Sequence, residues 1–282
     1  MGARIVAALR LVRLPNTLTA VADVLAGAAI VGVVPLQSAV LLPALGSALM
    51  YGGGVALNDL LDLEKDRTQN PERVLVRGDL SVAAAWVLAL LLLAAGVATA
   101  LAGSAEHRVV TLALLLAIVV YDALPDRFRY TGAAMMGSCR ALNLMRGMTL
   151  GALGASPASW LPAEGHLWLV FMITVVSTFE SSGSRGGAYR AALLLLPLPY
   201  LIPLATAVWT APLSVALAVW VTRPGWMTPA RPIVVVKRAV FTLVLFDALY
   251  ALAAERWATA AVCAAFLPIL LWLARAIGQR GS

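Results

Sequence analysis

The sequence contains few charged residues. Only 12% of its 282 residues are Asp, Glu, Lys or Arg, whereas 61% are hydrophobic, and the mean hydropathy is +0.89. A soluble globular chain has about a quarter charged residues and about half apolar residues. The composition therefore excludes a soluble globule and predicts an integral membrane protein.

Cysteine is also scarce, since the chain has only Cys139 and Cys263, both inside apolar runs. Neither a disulfide framework nor a cysteine metal site is supported. The sequence shows no glycine loop of the nucleotide-binding type, no zinc-ligand spacing and no low-complexity tail. Residues 1–13 are basic but lead into a full apolar span without a small-residue cleavage site, so we expect no cleavable signal peptide. We expect one integral membrane domain over residues 1–282.

The apolar runs predict an all-α, polytopic helix bundle with about nine transmembrane helices around a central cavity. The runs lie near residues 16–34, 37–58, 81–103, 107–124, 131–153, 166–180, 188–222, 235–254 and 257–277. The run at 188–222 is too long for one crossing and short for two, and four prolines interrupt it. Ten spans therefore stay open as an alternative, with this run folded into a hairpin.

Arginines indicate the orientation, because loops rich in Lys and Arg prefer the cytoplasm. Arg4, Arg10 and Arg13 place the N-terminus inside, in the plasma (inner) membrane. We expect the loops near 59–80 and 181–190 to form cytoplasmic caps, so that a site beneath them would face the cytoplasm. The net charge of +7 comes from residues that flank spans and do not form a basic module, so we expect no nucleic-acid partner.

The most informative segment is the acidic run at residues 58–67, which closes the second apolar span. Asp59, Asp62 and Asp66 lie at i, i+3 and i+7 and would share one face of a continuous helix. Crowded carboxylates are usually relieved by Mg²⁺, which takes oxygen ligands and leaves positions for water and phosphate. Three arginines suited to phosphate follow: Arg67, Arg73 and Arg77. The run therefore indicates a metal-bridged diphosphate site, with a solvated helix end as the structural alternative.

Polar residues inside the spans indicate a second feature, because each charge in the bilayer is costly. In the first span Asn16, Thr19 and Asp23 share a helical face. In the fifth span Arg140, Asn143 and Gly147 share a face beside Arg146, and Asp247 lies in a late span. Either an aspartate pairs with Arg140 or Arg146, or these side chains form a polar cavity that binds diphosphate or acceptor.

Two further segments at cytoplasmic span ends carry suitable side chains. The first contains Tyr121, Asp122 and Asp126, around a proline that disfavours a continuous helix. The second contains Glu180, Ser184 and Arg185 with glycines that would let backbone N–H groups approach phosphate, unless it is only a flexible helix end.

The acidic run resembles the first motif of the UbiA superfamily of intramembrane prenyltransferases, which reads N-D-x-x-D-x-x-x-D followed by arginines. The residues that stand in register with it are Asn58, Asp59, Asp62, Asp66, Arg67 and Arg73. The resemblance covers essentially the whole chain. The segments 13–17 with Asp23, and 139–144, are more similar to the EboC-like branch.

The resemblance implies a Mg²⁺-dependent prenyltransferase that moves an isoprenoid chain from an allylic diphosphate to an aromatic or other lipid acceptor. Asn58, Asp59 and Asp62 would ligate Mg²⁺, and Asp66 would complete the carboxylate face. Arg67 and Arg73 would hold phosphate. Tyr51, seven residues before Asn58, would line the cavity with its ring or pack between helices.

The sequence departs from the family at the second motif. A D-x-x-x-D pattern is expected there, but Glu180 and Ser184 occupy the two acidic positions, so Glu180 alone remains as a second-site ligand. Val74 also replaces the usual proline after Arg73. These departures leave open a different donor, a slower reaction, the use of Asp122 or Asp126, or loss of activity. A non-catalytic membrane carrier for a lipid or phosphorylated metabolite and an intramembrane terpene cyclase are therefore the alternatives to a transferase.

Overall fold

The computed structural model describes residues 2–34, 37–124, 129–151, 160–182, 186–227 and 231–278, with the side chains at 38, 129 and 180–182 left out. Within these ranges the regular structure is helical. The helices are α1 (Gly2–Leu11), α2 (Leu14–Ile30), α3 (Ser38–Leu61), α4 (Leu63–Gln69), α5 (Val82–Ala98), α6 (Ala105–Ala123), α7 (Arg129–Met148), α8 (Leu161–Ser182), α9 (Gly187–Leu195), α10 (Ala211–Trp226), α11 (Pro232–Phe241), α12 (Leu243–Ala253) and α13 (Trp257–Ala276).

Apolar composition gives five of the described helical segments the length and hydropathy needed to cross a membrane. These are α3, α5 with the 3₁₀ turn after it, α8, α9 with the 3₁₀ segment after it, and α13. The bent pair of α1 and α2 would make a sixth. Large apolar side chains on α5 and α13 are exposed, as expected of surfaces that contact lipid.

The predicted break in the run at 188–222 is present. A 3₁₀ segment, Leu198–Ala205, follows α9 and contains Pro199 and Pro203, because proline lacks the N–H that a continuing helix needs. The chain then returns through α10, so that the Tyr189 hydroxyl lies 3.5 Å from the Gly225 carbonyl oxygen. The run is therefore a hairpin, as the alternative with ten spans requires.

Contacts at the two ends of the bundle fix the direction of the passes. We call the end that carries Asp59 the acidic face, and the other end the opposite face. At the acidic face, Arg10 Nε donates to the Ile277 carbonyl oxygen at 2.6 Å, so the end of α13 returns to the end of α1. At the opposite face Gly32 lies beside Arg256, just before α13. The described helices thus make an even number of passes.

The most polar long helix lies in the middle of the bundle. Helix α7 packs against α2, α6 and α8, and it carries Arg140, Asn143 and Arg146 at three-residue intervals. Apolar clusters surround it on the sides of α3 with α5, of α8 with α12, and of α2 with α13. This arrangement keeps the charged side chains of α7 away from lipid.

Candidate active site

A cavity of about 280 Å³ opens between α2, α3, α6, α7 and α8. Apolar side chains such as Met50, Leu114, Ile118 and Val170 line most of its wall. Its polar lining contains six of the residues predicted from the sequence: Asn16, Tyr51, Asn58, Tyr121, Arg140 and Asn143. Helical periodicity allowed these lining residues to be predicted, because residues spaced by three, four or seven positions project from one face of a helix.

The acidic run lies at the mouth of this cavity, and the helix that carries it is interrupted within the run. We predicted a continuous helix through Asp66, but α3 ends at Leu61 and α4 begins at Leu63, with Asp62 at the junction. The backbone bonds from Asp62 N to Asn58 O and from Asp66 N to Asp62 O hold the two helices nearly in line. The carboxylates therefore remain close to one another, but their environments differ.

Asp59 and Asp66 are both buried and partnered. Asp59 pairs with Arg73 and with Arg13, whose Nη2 lies 3.4 Å from Oδ1. Asp66 accepts from Asn70 at 2.7 Å and lies 3.9 Å from Arg73 Nε. In contrast, Asp62 is half-exposed and lies 3.9 Å from Lys65 Nζ. Asp62 is thus the most accessible of the three aspartates in the run.

Asp122 joins the acidic run from α6. The side chain of Asn58 hydrogen-bonds Asp122, and both residues line the cavity. The Oδ2 atom of Asp122 is buried and has no hydrogen-bond partner among the described residues. Sequence reasoning gave Asp122 only a weak signal, because its proximity to Asn58 arises from the packing of α6 against α3.

Arg13 is a cavity residue that was not predicted as a site residue from the sequence, where it indicated only orientation and the branch of the family. It lies between α1 and α2 with φ 48° and ψ 53°, a left-handed conformation that is uncommon outside glycine. The side chain contacts Asp59 and lines the cavity. The bend between α1 and α2 is thereby coupled to the position of a guanidinium group at the cavity mouth.

Arg67 lies elsewhere. We expected it to hold phosphate, but it is exposed and pairs with Glu64 at 2.9 Å on the surface of α4. The helical rotation of about 100° per residue turns it away from Asp66 and toward the partner three residues earlier. In this arrangement Arg73 and Arg13 occupy the position that we assigned to Arg67.

A buried ion pair lies at the deep end of the cavity, where Arg140 lines the wall and Asp23 lies behind it. Arg140 Nη1 donates to Asp23 Oδ2 at 2.9 Å, and Arg140 Nη2 donates to Thr19 at 2.6 Å. Asn143 also donates to Asp23 Oδ2 at 2.8 Å. The pairing that we considered between an intramembrane aspartate and Arg140 is therefore present. The Arg140 guanidinium also lies 5.3 Å from the centre of the Tyr51 ring, so one face of that ring already contacts a cation.

Two predicted polar residues lie outside this cavity. Arg146 is fully buried toward the opposite face, where its Nε donates to Thr111 at 3.0 Å. Asp247 pairs with His166 and not with an arginine, at 2.7 Å. The sequence analysis did not consider His166. Arg185, Ser184 and Asp126, together with the side chain of Glu180, lie outside the described residues.

Residues 19–281 match the sequence profile of the UbiA prenyltransferase family. The chain belongs to this family. Among curated relatives, a digeranylgeranylglyceryl phosphate synthase of Ignicoccus hospitalis is 41% identical over 88 residues, which is 31% of this chain and 28% of that protein. The synthase of the same name from Methanothrix thermoacetophila is 34% identical over 115 residues, 39% of this chain and 40% of that protein. The matched segments thus span less than half of either relative.

The same fold occurs in a solved UbiA homologue from Archaeoglobus fulgidus bound to GPP and Mg²⁺. It superposes with a TM-score of 0.64 over 88% of this chain and 99% of the homologue, at 21% identity. The family and this likeness establish an integral membrane bundle of the UbiA type. The predicted membrane bundle with a central cavity is confirmed, while the EboC-like branch stays a prediction.

Proposed function

We propose that this chain is a Mg²⁺-dependent prenyltransferase that moves an isoprenoid chain from an allylic diphosphate to a lipid acceptor. The observation that carries the proposal is the cavity itself. Its lining joins Arg13, Asn58 and Asp122 at the acidic face to a mostly apolar interior that also contains the polar pair Arg140 and Asn143. One end suits a metal diphosphate, and the interior suits an isoprenoid chain.

The residues at the mouth fit Mg²⁺. Asn58 and Asp122 line the cavity, Asp62 lies near Asp122, and Asp122 has a buried oxygen without a partner among the described residues. Buried carboxylate oxygens are costly unless a cation or donor meets them. We assign Asp62 and Asp122 as the main ligands, with Asn58 beside them. Asp59 and Asp66 were predicted as ligands, but we assign them to positioning the neighbouring arginines. Glu180 stays a candidate second-site ligand.

Two arginines would hold the diphosphate. Arg13 and Arg73 both contact Asp59, and Arg73 also contacts Asp66, so their side chains are fixed at the cavity mouth before substrate arrives. A guanidinium group that is already positioned loses less conformational freedom when it binds phosphate. Pairing with aspartate therefore explains why these partly buried arginines lie beside carboxylates instead of extending into water.

Prenyl transfer requires stabilisation of the departing diphosphate at the acidic end of the cavity and exclusion of water from its apolar interior. The allylic C–O bond breaks with its electron pair passing to the diphosphate, the acceptor donates a pair to the allylic cation, and the acceptor then loses a proton. A bound Mg²⁺ ion would lower the energy of the departing diphosphate. Apolar side chains from α3, α6 and α8 exclude water that would trap the cation.

Side chains deeper in the cavity would position the acceptor. Arg140 and Asn143 are held by Asp23, and their remaining polar surface lines the cavity wall. A cationic guanidinium next to an amide suits the anionic or hydroxyl head of a lipid. The names of the curated relatives refer to a glyceryl phosphate lipid, which favours this acceptor class over an aromatic one.

We also propose the orientation and organisation predicted from the sequence. The acidic face carries Arg10, Arg73 and Arg231, and the opposite face carries Arg108 and Arg256. This bias supports a cytoplasmic acidic face in the plasma membrane, with the N-terminus on the same side. Residues 1–282 would act as one membrane domain whose caps lie near 59–80 and 181–190.

The decisive experiment measures pyrophosphate release from the purified protein in lipid, with Mg²⁺ and a panel of allylic diphosphates that includes geranyl diphosphate. We expect wild type to release pyrophosphate with a glyceryl phosphate lipid present and Asp62→Ala to lose at least about 100-fold of the rate. A new prenylated lipid must appear in equal amount. Release without an adduct would instead establish a cyclase, and binding without release would establish the carrier.

A further inference from the structure

A second cluster of candidate ligands lies beyond the cavity, where three helices meet. Asp23 on α2, His166 on α8 and Asp247 on α12 are each fully buried. One ligand atom from each lies within 4.8 Å of the ligand atoms of the other two, a geometry that the described residues show at this place alone. None of the three lines the cavity.

His166 is held in one orientation. Its Nδ1 lies 2.9 Å from the carbonyl oxygen of Pro162, one helical turn earlier. A carbonyl only accepts, so Nδ1 carries hydrogen in this contact. The other nitrogen, Nε2, faces Asp247 Oδ1 at 2.7 Å. An imidazole whose Nδ1–H is bound to a backbone carbonyl and whose Nε2 faces carboxylates is the arrangement typical of a histidine metal ligand.

Each carboxylate of the cluster has an oxygen without a partner in the part of the chain that the structure describes. Asp23 uses Oδ2 to accept from Arg140 and Asn143, while its Oδ1 is buried and has no hydrogen-bond partner among the described residues. Asp247 uses Oδ1 for His166, and its Oδ2 is likewise buried and unpartnered. The two buried carboxylates face one arginine and the proton shared between His166 and Asp247, and a divalent ion would replace that proton. An unpaired buried charge is strongly disfavoured.

We propose that Asp23, His166 and Asp247 bind a divalent transition-metal ion of the Zn²⁺ or Mn²⁺ type. One imidazole nitrogen with carboxylate oxygens suits such ions, whereas Mg²⁺ takes oxygen ligands. Two ligand atoms that each lie about 2.0 to 2.2 Å from one metal ion are about 3 to 3.5 Å apart. His166 Nε2 and Asp247 Oδ1, at 2.7 Å, would therefore separate slightly, while the Asp23 ligand atom, which lies within 4.8 Å of both, would need only a small movement. The metal would take the place of the hydrogen bond between His166 and Asp247.

The site would connect the scaffold to the cavity. It would join α2, α8 and α12, which are distant in sequence, and it would fix the carboxylate of Asp23. Asp23 in turn holds Arg140 and Asn143, which line the cavity. The metal would therefore act as a structural ion behind the cavity wall, chemically distinct from Mg²⁺ at the acidic face.

The test is metal content, which needs no substrate and is independent of the proposed activity. The purified protein is loaded with Zn²⁺, dialysed against excess Mg²⁺ and analysed by inductively coupled plasma mass spectrometry. We expect wild type to retain about one Zn²⁺ per chain. His166→Gln and Asp247→Asn should retain at least tenfold less at the same free Zn²⁺.

The matched control is His107→Gln, because His107 is also buried on a helix but contacts Thr149 and the Arg146 carbonyl. That variant should retain zinc as wild type does. Pulsed electron paramagnetic resonance of Mn²⁺-loaded wild type provides a second measurement that does not depend on whether variants fold, and we expect coupling to one imidazole nitrogen. The proposal would be overturned if wild type retained no Zn²⁺ and showed no such coupling, or if His166→Gln retained as much zinc as wild type. In either case His166 and Asp247 would share a proton and bind no metal.

Discussion

Arginine side chains cover two of the three aspartates in the acidic run. Asp59 and Asp66 both contact Arg73, and Asp59 also contacts Arg13, whereas Asp62 has Lys65 at 3.9 Å and is half-exposed. Residues of one motif thus have different partners within two helical turns. This difference is why we assign metal binding to Asp62 and arginine positioning to Asp59 and Asp66.

Asp122 is the residue whose substitution tests the metal assignment most directly. Asp122→Asn keeps an oxygen that can accept from Asn58 but removes the negative charge. We expect the Mg²⁺ concentration for half-maximal pyrophosphate release to rise about 10- to 100-fold. Asp79→Asn is the control, since Asp79 pairs with Arg77 outside the cavity, and it should leave the Mg²⁺ titration unchanged. An unchanged titration in Asp122→Asn would remove Asp122 from the site and shift the test to Glu180→Gln.

The ion pair between Asp23 and Arg140 allows a prediction about stability. Arg140→Leu leaves a fully buried carboxylate without its cation, and breaking one side of such a pair costs about 3 to 5 kcal/mol. The double variant Asp23→Asn with Arg140→Leu removes both charges, so we expect it to be more stable than Arg140→Leu alone. Thermal unfolding in detergent measures both variants. Equal loss in the single and double variants would show that the pair makes no specific contribution.

Helix packing at the centre of the bundle depends on glycine. A Cβ atom on Gly27 of α2 would lie 2.1 Å from the Leu144 carbonyl oxygen, and one on Gly147 of α7 would lie 2.1 Å from the Val24 carbonyl oxygen. The two backbones are therefore in direct contact, as small residues permit between membrane helices. This contact brings Asp23 within reach of Arg140 and Asn143.

Gly27→Ala should consequently destabilise the protein, although alanine favours helix more than glycine does. We expect a loss of about 1 to 3 kcal/mol from overpacking and a lower unfolding temperature. Gly132→Ala is the matched control on α7, because a Cβ atom there meets nothing within 4 Å. The control should be neutral or slightly stabilising. A neutral Gly27→Ala would mean that α2 and α7 separate at little cost.

The elements were predictable from the sequence to different degrees. Long apolar runs identified α3, α5, α8 and α13, because a bilayer requires them. The helical period placed Asn16, Tyr51 and Arg140 on one cavity. The break at Asp62 was not predicted. The backbone hydrogen bonds on both sides of Asp62 keep the four-residue spacing of a helix, so the sequence pattern there resembles that of a continuous helix. Charge pairing was only partly predictable, because the proximity of His166 to Asp247 depends on how α8 packs near α12.

At the scale of the whole molecule, the return of α13 to α1 places both ends of the described chain at the acidic face. Arg10 contacts the Ile277 carbonyl oxygen there, and Gly32 lies beside Arg256 at the opposite face. The hairpin of α9 and α10 supplies the extra pass that makes this return possible. An odd number of complete passes would instead leave the two ends on opposite sides of the membrane.

The topology is tested by labelling single cysteines in intact cells. Cys139 and Cys263 are first replaced by serine, and one cysteine is then introduced at Gln69, Arg77, Gly278 or Gly32. The first three positions lie at the acidic face, so we expect a membrane-impermeant maleimide to label them only after the membrane is opened. Gly32→Cys at the opposite face should react in intact cells. The positive-inside bias and the even number of passes are independent arguments. Labelling of Gly278→Cys in intact cells, with protection of Arg77→Cys, would contradict the even number of passes. Labelling of both variants in intact cells would reverse only the orientation.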